Sequence, residues 1–117
     1  MEVNDSNFEE LVSGSSRPTL VAFTADWCWV CDNYKKELEQ LHSLISDQVN
    51  VYLLDIDRSP DMKLYHNIRG TPTTILYSGG EEFAQLDAAW PVHVLVQFLE
   101  DRLGDLFCPP PVQSSGS

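Results

Sequence analysis

Apolar residues along the chain fall into short unbroken runs and into helical stripes, which predict strands and helices in turn. Two stretches, at 19–24 and 50–57, are apolar over much of their length, as expected of strands buried on both faces. Between them, a stripe with helical spacing predicts a long helix from Cys28 to about Ser46. The inward positions of this helix are Tyr34, Leu38, Leu41, Leu44 and Ile45.

The second half of the chain repeats this alternation with shorter elements. Strands are predicted at 73–77 and 82–86, joined by a glycine-rich turn into a hairpin. A terminal helix begins at Pro91 and turns its apolar face inward. Two short helices are also predicted, over about 6–12 and 59–66. The order of elements predicts an α/β fold, with a central mixed β-sheet flanked by helices on both faces.

The length of 117 residues fits one domain. We predict a folded domain over residues 1–106 and an extended or disordered tail over 107–117, because the chain ends in a proline run followed by small polar residues. No apolar run reaches the roughly 18 residues of a membrane span, and the first residues lack the pattern of a leader. We therefore expect a soluble cytoplasmic protein, or a periplasmic or exported one if a signal or anchor was removed.

The charge balance excludes polyanionic partners. The chain has 18 acidic and 7 basic side chains, for a net charge of −11. Such a surface repels nucleic acid and anionic lipid, so neither is an expected partner.

Two cysteines carry the candidate chemistry. The segment Trp27-Cys28-Trp29-Val30-Cys31 directly follows the first buried strand. A helix that begins at Cys28 points backbone N–H groups and the positive end of its dipole at that sulfur, which favours the thiolate. Cys31 lies one turn further on the same face, within reach of Cys28. The pair can therefore alternate between dithiol and disulfide.

A cysteine pair with this spacing can also have two other roles. Reduced cysteines often pack as small apolar residues, and four-ligand metal sites also use this spacing. There is no second Cys-x-x-Cys, and His42, His66 and His93 lie at unrelated spacings. We therefore expect neither metal nor cofactor. Cys108, in the proline-rich segment, is expected to be an idle thiol.

Residues 1 to about 105 resemble the thioredoxin family. The resemblance rests on Trp27-Cys28-Trp29-Val30-Cys31 after a buried strand, on Gly70-Thr71-Pro72-Thr73, and on the hairpin and terminal helix that follow. Thr24-Ala25-Asp26-Trp27-Cys28 with Lys35-Lys36 is also similar to the thioredoxin-like domains of bacterial transmembrane thiol-disulfide interchange proteins.

The resemblance implies roles for particular residues. Cys28 corresponds to the attacking cysteine, Cys31 to the resolving cysteine and Pro72 to a cis proline beside them, a geometry that only an X-Pro bond adopts cheaply. Thr71 would offer its backbone to an extended substrate. We expect Trp29 to be exposed and Trp27 to be partly packed. The expected substrate-binding residues are Trp27, Trp29, Val30, Thr71, Pro72, Ala88, Ala89 and Trp90.

The chain departs from the family pattern at several positions. Ala22 and Leu53 replace a buried aspartate and the lysine that accompanies it, so handling of the Cys31 proton must differ. Trp29-Val30 replaces Gly-Pro, and Asp32 stands where a lysine often follows. Asp26 and Asp32 flank the motif with negative charge, which opposes the helix dipole at Cys28 and leaves the sign of its pKa shift open.

The expected function is thiol-disulfide oxidoreduction. The Cys28/Cys31 pair would act as a reductant and exchange electrons with protein disulfides. An upstream reductase or oxidase, which the sequence does not identify, would be its other redox partner. We expect a monomer that does not insert into membranes. The alternative is a non-catalytic binding or adaptor module in which the cysteine pair is regulatory or vestigial.

Overall fold

A five-stranded mixed sheet forms the centre of the protein. The computed structural model describes residues 2–111. Its strands are β1 (Glu2–Val3), β2 (Thr19–Thr24), β3 (Asn50–Asp55), β4 (Thr73–Ser78) and β5 (Glu81–Asp87). Its α-helices are α1 (Trp29–Ile45), α2 (Pro60–Tyr65) and α3 (Val92–Leu103), with a π-helical turn at Glu9–Ser13 and a 3-10 turn at Gly104–Leu106. None of the helices in this range is long and apolar enough to cross a membrane.

Strand β2 lies in the middle of the sheet. The strand order is β1-β3-β2-β4-β5, with β1, β3 and β2 parallel and β4 and β5 antiparallel to their neighbours. All six residues of β2 are buried. A strand covered on both faces favours apolar residues at successive positions, which explains the run Leu20, Val21, Ala22 and Phe23 between the two threonines.

Alternate residues of β2 enter two separate cores. Leu20 and Ala22 join the core beneath α1 and α3, which includes Leu38 and Leu99. Val21 and Phe23 join the opposite core, with residues from the π-helical turn and α2 and with both redox cysteines. The predicted α/β class, with helices on both faces of a mixed sheet, is confirmed.

The structure corrects the predicted end of the domain. Phe107 is only 4% exposed and packs into the α1/α3 core. The side-chain amide of Gln48 bonds both backbone groups of Cys108, accepting its N–H at 2.7 Å and donating to its carbonyl oxygen at 2.8 Å. The folded domain thus extends at least to residue 108, because Phe107 completes the core. Residues 112–117 of the predicted tail lie outside the described range.

A side chain of α1 caps α3. Glu37 Oε1 accepts a hydrogen bond from the Val92 N–H at 2.9 Å. The first N–H groups of a helix have no partner within the helix, and a carboxylate there also interacts favourably with the helix dipole. Glu37 therefore anchors the start of α3, and with it the segment that holds Trp90.

We expect Glu37→Ala to lower the free energy of unfolding by about 1 kcal/mol, the usual effect of losing a cap. Glu37→Gln keeps an acceptor oxygen and should lose less. Urea denaturation measures both variants. Glu39→Ala, on an exposed position of the same helix, is the control. Equal losses for Glu37→Ala and Glu39→Ala would contradict this role.

Candidate active site

The two cysteines lie at the junction between β2 and α1. Cys28 has an extended backbone, with φ −94° and ψ 99°, and caps the helix, as predicted. Its N–H donates to the Ala25 carbonyl oxygen at 3.1 Å, and the Cys31 N–H donates to the Cys28 carbonyl oxygen at 3.1 Å. These bonds fix the tight turn in which the two thiols meet. Both thiols are free, so the structure is of the dithiol form.

The pair is asymmetric in its exposure. Cys28 retains 7% of its surface, whereas Cys31 is fully buried. Only Cys28 is accessible to a partner sulfur.

The thiol of Cys28 is the more acidic. Burial raises the pKa of Cys28, but the side chains of Cys31 and Thr71 and the backbone N–H groups of Cys31 and Val30 favour the thiolate as hydrogen-bond donors, and together they outweigh burial. The pKa of Cys28 therefore lies below its ordinary value of 9.0. Burial, together with the Cys28 side chain, raises the pKa of Cys31 to about 11. Cys28 is the thiol that ionises first.

The flanking carboxylates are turned to solvent. The side chain of Asp26 is 68% exposed, and its carboxylate lies 3.5 Å from the Arg58 guanidinium. Asp32 is exposed on the first turn of α1. Solvent screening and the arginine weaken their effect, so hydrogen bonding determines the sign that the sequence left open.

The Thr71–Pro72 segment lies directly beside the redox pair. The peptide bond between these residues is cis. Cys28 Sγ is 3.7 Å from the Thr71 carbonyl oxygen. The Pro72 carbonyl oxygen accepts the Ala88 N–H at 3.1 Å, which brings the end of β5 to the same place. Residues about 40 positions apart in the chain thus lie side by side at this edge of the sheet.

A groove of about 690 Å³ opens beside this segment. Thr71, whose carbonyl oxygen lies beside Cys28 Sγ, lines this groove together with Pro72 and Ala88. Arg69 and Asp87 of the edge strand β5 also line it. The groove provides room for a peptide next to the reactive sulfur.

The three tryptophans differ in exposure. Trp29 is 75% exposed and Trp90 39% exposed, with the Trp90 indole N–H bonded to the Asp87 carbonyl oxygen at 2.7 Å. Trp27 is 67% exposed, so the expectation that it is partly packed is wrong. Its position is set by one hydrogen bond, from its indole N–H to Asp57 Oδ2 at 2.9 Å, rather than by burial. Of the remaining predicted residues, Val30 and Ala89 are half-buried against the two cores.

The sequence did not indicate Asp57 as part of the site. Asp57 follows β3, whose carboxyl end lies at the same edge of the sheet as that of β2, since the two strands are parallel. Polar residues just beyond parallel neighbouring strands converge in this way. This topology is the signal that could have identified Asp57.

The two apolar replacements face each other. Ala22 of β2 is paired with Leu53 of β3 and, on its other side, with Thr74 of β4. The Thr74 hydroxyl shares a 2.7 Å hydrogen bond with the Tyr34 hydroxyl, and burial raises the pKa of Tyr34 to about 12. A neutral hydroxyl pair therefore lies in the core next to the position where the family pattern has a carboxylate.

The described residues offer no obvious metal centre. Within residues 2–111, no three histidine, cysteine or acidic side chains are grouped closely enough to bind a metal ion. The buried His66 hydrogen-bonds the Met62 carbonyl oxygen and the Tyr77 hydroxyl instead.

Comparison with known proteins gives a consistent result. Residues 1–101 match the Thioredoxin family model. The chain is 35% identical over 101 residues to a thioredoxin of Acidithiobacillus ferridurans, covering 86% of this chain and 94% of that protein. It is 32% identical over 99 residues to a thioredoxin of Rhodospirillum rubrum, covering 85% and 95%. It is also 32% identical over 102 residues to the chloroplastic M-type thioredoxin of Spinacia oleracea, covering 87% of this chain but 56% of the relative.

Both the paired thiols and the similarity to these thioredoxins support thiol-disulfide exchange as the chemistry of this site. The protein is a protein disulfide oxidoreductase with a redox cysteine pair, Cys28 and Cys31, and it belongs to the thioredoxin family.

Proposed function

We propose that the protein reduces disulfides in protein partners, with Cys28 as the attacking thiol and Cys31 as the resolving thiol. The asymmetry of the pair is the observation that supports this order. Cys28 keeps some exposure and has a lowered pKa, whereas Cys31 is fully buried and its pKa is raised to about 11. The thiolate is the nucleophile in exchange, so the accessible and more acidic thiol attacks first.

The reaction proceeds in two exchanges. The Cys28 thiolate attacks one sulfur of the partner, a mixed disulfide forms, and the first partner thiolate leaves. Cys31 then attacks Cys28 Sγ, the Cys28–Cys31 disulfide forms, and the second partner thiolate leaves. The Thr71 backbone and the groove beside Pro72 would hold the partner chain in an extended conformation during both steps.

The variant Cys31→Ser lacks the resolving thiol, so the second thiol-disulfide exchange cannot occur. It should therefore trap partners as mixed disulfides with Cys28. Cys28→Ser should trap none. Capture of a disulfide-containing protein, analysed by non-reducing electrophoresis, measures both outcomes. Both variants are made with Cys108→Ser, which removes the exposed third thiol. Equal trapping by the two variants would contradict the assigned order.

The proposed direction follows from the ionisation of the dithiol form. A strong oxidant has a highly stabilised thiolate, which makes its reduced form stable. Here hydrogen bonding lowers the pKa of Cys28 without help from any positively charged side chain, and the raised pKa keeps Cys31 protonated. We infer that the dithiol form lacks the cationic stabilisation of a strong oxidant, which favours donation of electrons.

Equilibration with a glutathione series should give a reduction potential near the value of about −270 mV that is typical of reducing members of the fold. Alkylation of the remaining thiols followed by mass spectrometry reads the ratio of dithiol to disulfide. A potential above about −200 mV would mean that the protein oxidises or isomerises disulfides.

We assign the exposed aromatic residues to partner binding. Trp27 and Trp29 bracket the attacking cysteine, and Trp90 follows the segment bonded to Pro72. Exposed tryptophans act as anchors when a partner covers them. Their contribution is to affinity rather than to chemistry.

Trp29→Ala should weaken the capture of a protein disulfide about tenfold while leaving the reduction of a small aromatic disulfide nearly unchanged. The apparent KM for a protein substrate measures the effect. Leu106→Ala removes a similarly exposed apolar side chain, 73% against 75%, and is the control. Equal loss on both substrates would instead mean that Trp29 tunes the reactivity of Cys28.

We further propose that the protein acts as a monomer in a reducing compartment, the cytoplasm. An upstream reductase would return its disulfide to the dithiol form. The net charge of −11 supports the monomer, because copies of the chain repel one another. A reducing compartment is also where an exposed thiol such as Cys108 stays free.

A further inference from the structure

The hydroxyl of Thr71 is buried and makes no hydrogen bond to the protein in the dithiol form. The other such side-chain atoms in the described residues belong to His42 and Ser59, and neither residue affects the ionisation of the cysteines. The neighbouring Thr73 differs, because its hydroxyl donates to the Gly70 carbonyl oxygen at 2.7 Å. Burying a hydroxyl without a partner is unfavourable, so an acceptor that forms during the reaction would be stabilised by the Thr71 hydroxyl.

The position of Thr71 indicates that the redox sulfurs are the acceptors available to its hydroxyl. Thr71 touches the redox pair, since its carbonyl oxygen is 3.7 Å from Cys28 Sγ. Its side chain favours the charged form of both Cys28 and Cys31. Neither sulfur meets the hydroxyl in full hydrogen-bond geometry while both are protonated.

Few side chains around Cys31 can stabilise its thiolate, and the Thr71 hydroxyl is one of them. Cys31 is fully buried, and the only side chains in the described residues that act on its ionisation are Cys28 and Thr71. In the mixed disulfide, Cys28 no longer carries a proton or a charge. The hydroxyl of Thr71 is then the side-chain donor that remains for the Cys31 thiolate.

We propose that the Thr71 hydroxyl hydrogen-bonds the two redox sulfurs in succession, first the attacking Cys28 thiolate and then the resolving Cys31 thiolate. The inference rests on the order of attack given in the proposed function. Thr71 keeps its own proton throughout and acts by donating a hydrogen bond to whichever sulfur is charged.

Bonds, electrons and protons balance in each of the two exchanges. In the first, Cys28 releases its proton to solvent, the Cys28–partner bond forms, the partner S–S bond breaks, and the leaving thiolate takes a proton from solvent. In the second, Cys31 releases its proton to solvent and attacks Cys28 Sγ, the Cys28–Cys31 bond forms, and the bond between Cys28 and the partner breaks. The second leaving thiolate takes up one proton. Two electrons and two protons thus reach the partner, and the pair becomes a disulfide.

The test uses 5,5′-dithiobis(2-nitrobenzoate), which releases one coloured thiolate on attack and a second on resolution. With this disulfide in less than equimolar amount, a single stopped-flow trace reads both steps. All variants carry Cys108→Ser, so that the exposed thiol does not react. Thr71→Val removes the hydroxyl and keeps the shape, and Thr71→Ser keeps the hydroxyl. Thr73→Val removes a hydroxyl of the same loop that bonds a backbone oxygen instead.

Thr71→Val should slow the second release about tenfold, as expected from the loss of a hydrogen bond to a charged sulfur. It should also move the pH midpoint of Cys28 alkylation upward, because loss of the donor raises the pKa of Cys28. Thr71→Ser should restore both values, and Thr73→Val should leave both within about twofold of the parent. Thr71→Ala replaces Thr71→Val if the latter does not fold.

Unchanged rates and an unchanged pH midpoint in Thr71→Val would overturn the inference, as would failure of Thr71→Ser to restore them. Equal effects of Thr71→Val and Thr73→Val would also overturn it, because the loop rather than the hydroxyl would then be responsible. Trapping of partners by Cys31→Ser is scored separately. If trapping persists while Thr71→Val has no effect, the proposed function stands and only the role of the hydroxyl fails.

Discussion

Complete burial of the central strand is the constraint on which the rest of the structure depends. Because every residue of β2 is covered, helices must lie on both faces of the sheet, and the chain must leave the strand abruptly at its carboxyl end. The turn from Ala25 to Cys28 makes that exit, and α1 begins there. The redox pair is therefore supported by the fully buried central strand, while Cys28 stays at the surface of the core.

The ionisation of the pair arises from a competition between burial and hydrogen bonding. The two cysteines share a turn, yet burial dominates at Cys31 and hydrogen bonding dominates at Cys28. The difference originates in the side chains of Cys31 and Thr71 and in the helix start, where the backbone N–H groups of Cys31 and Val30 lie close to the Cys28 sulfur. No charged side chain is needed for this asymmetry, which fits a core that has apolar residues at Ala22 and Leu53.

Sequence patterns predicted those parts of the fold that have a long, regular period. The bounds of β2 and the inward face of α3 agree with the structure, because burial on two faces or on one stripe leaves a clear apolar pattern. Strand β1 was missed, since two residues carry no period. The motif indicated Cys28 and Cys31, but the exposure of Trp27 and the role of Phe107 depend on contacts between distant segments. The sign of the Cys28 pKa shift likewise required the positions of Thr71 and the backbone N–H groups.

The bond between Gln48 and Cys108 decides where the chain leaves the domain. Gln48 precedes β3, so it lies at the amino end of the parallel strands, whereas the redox pair follows the carboxyl end of β2. Six residues of strand separate these two ends, about 20 Å at roughly 3.3 Å per residue. The third thiol is therefore too remote to form a disulfide with the redox pair in the same molecule. A fluorophore, affinity handle or solid support attached at residue 108 would leave the catalytic edge unobstructed.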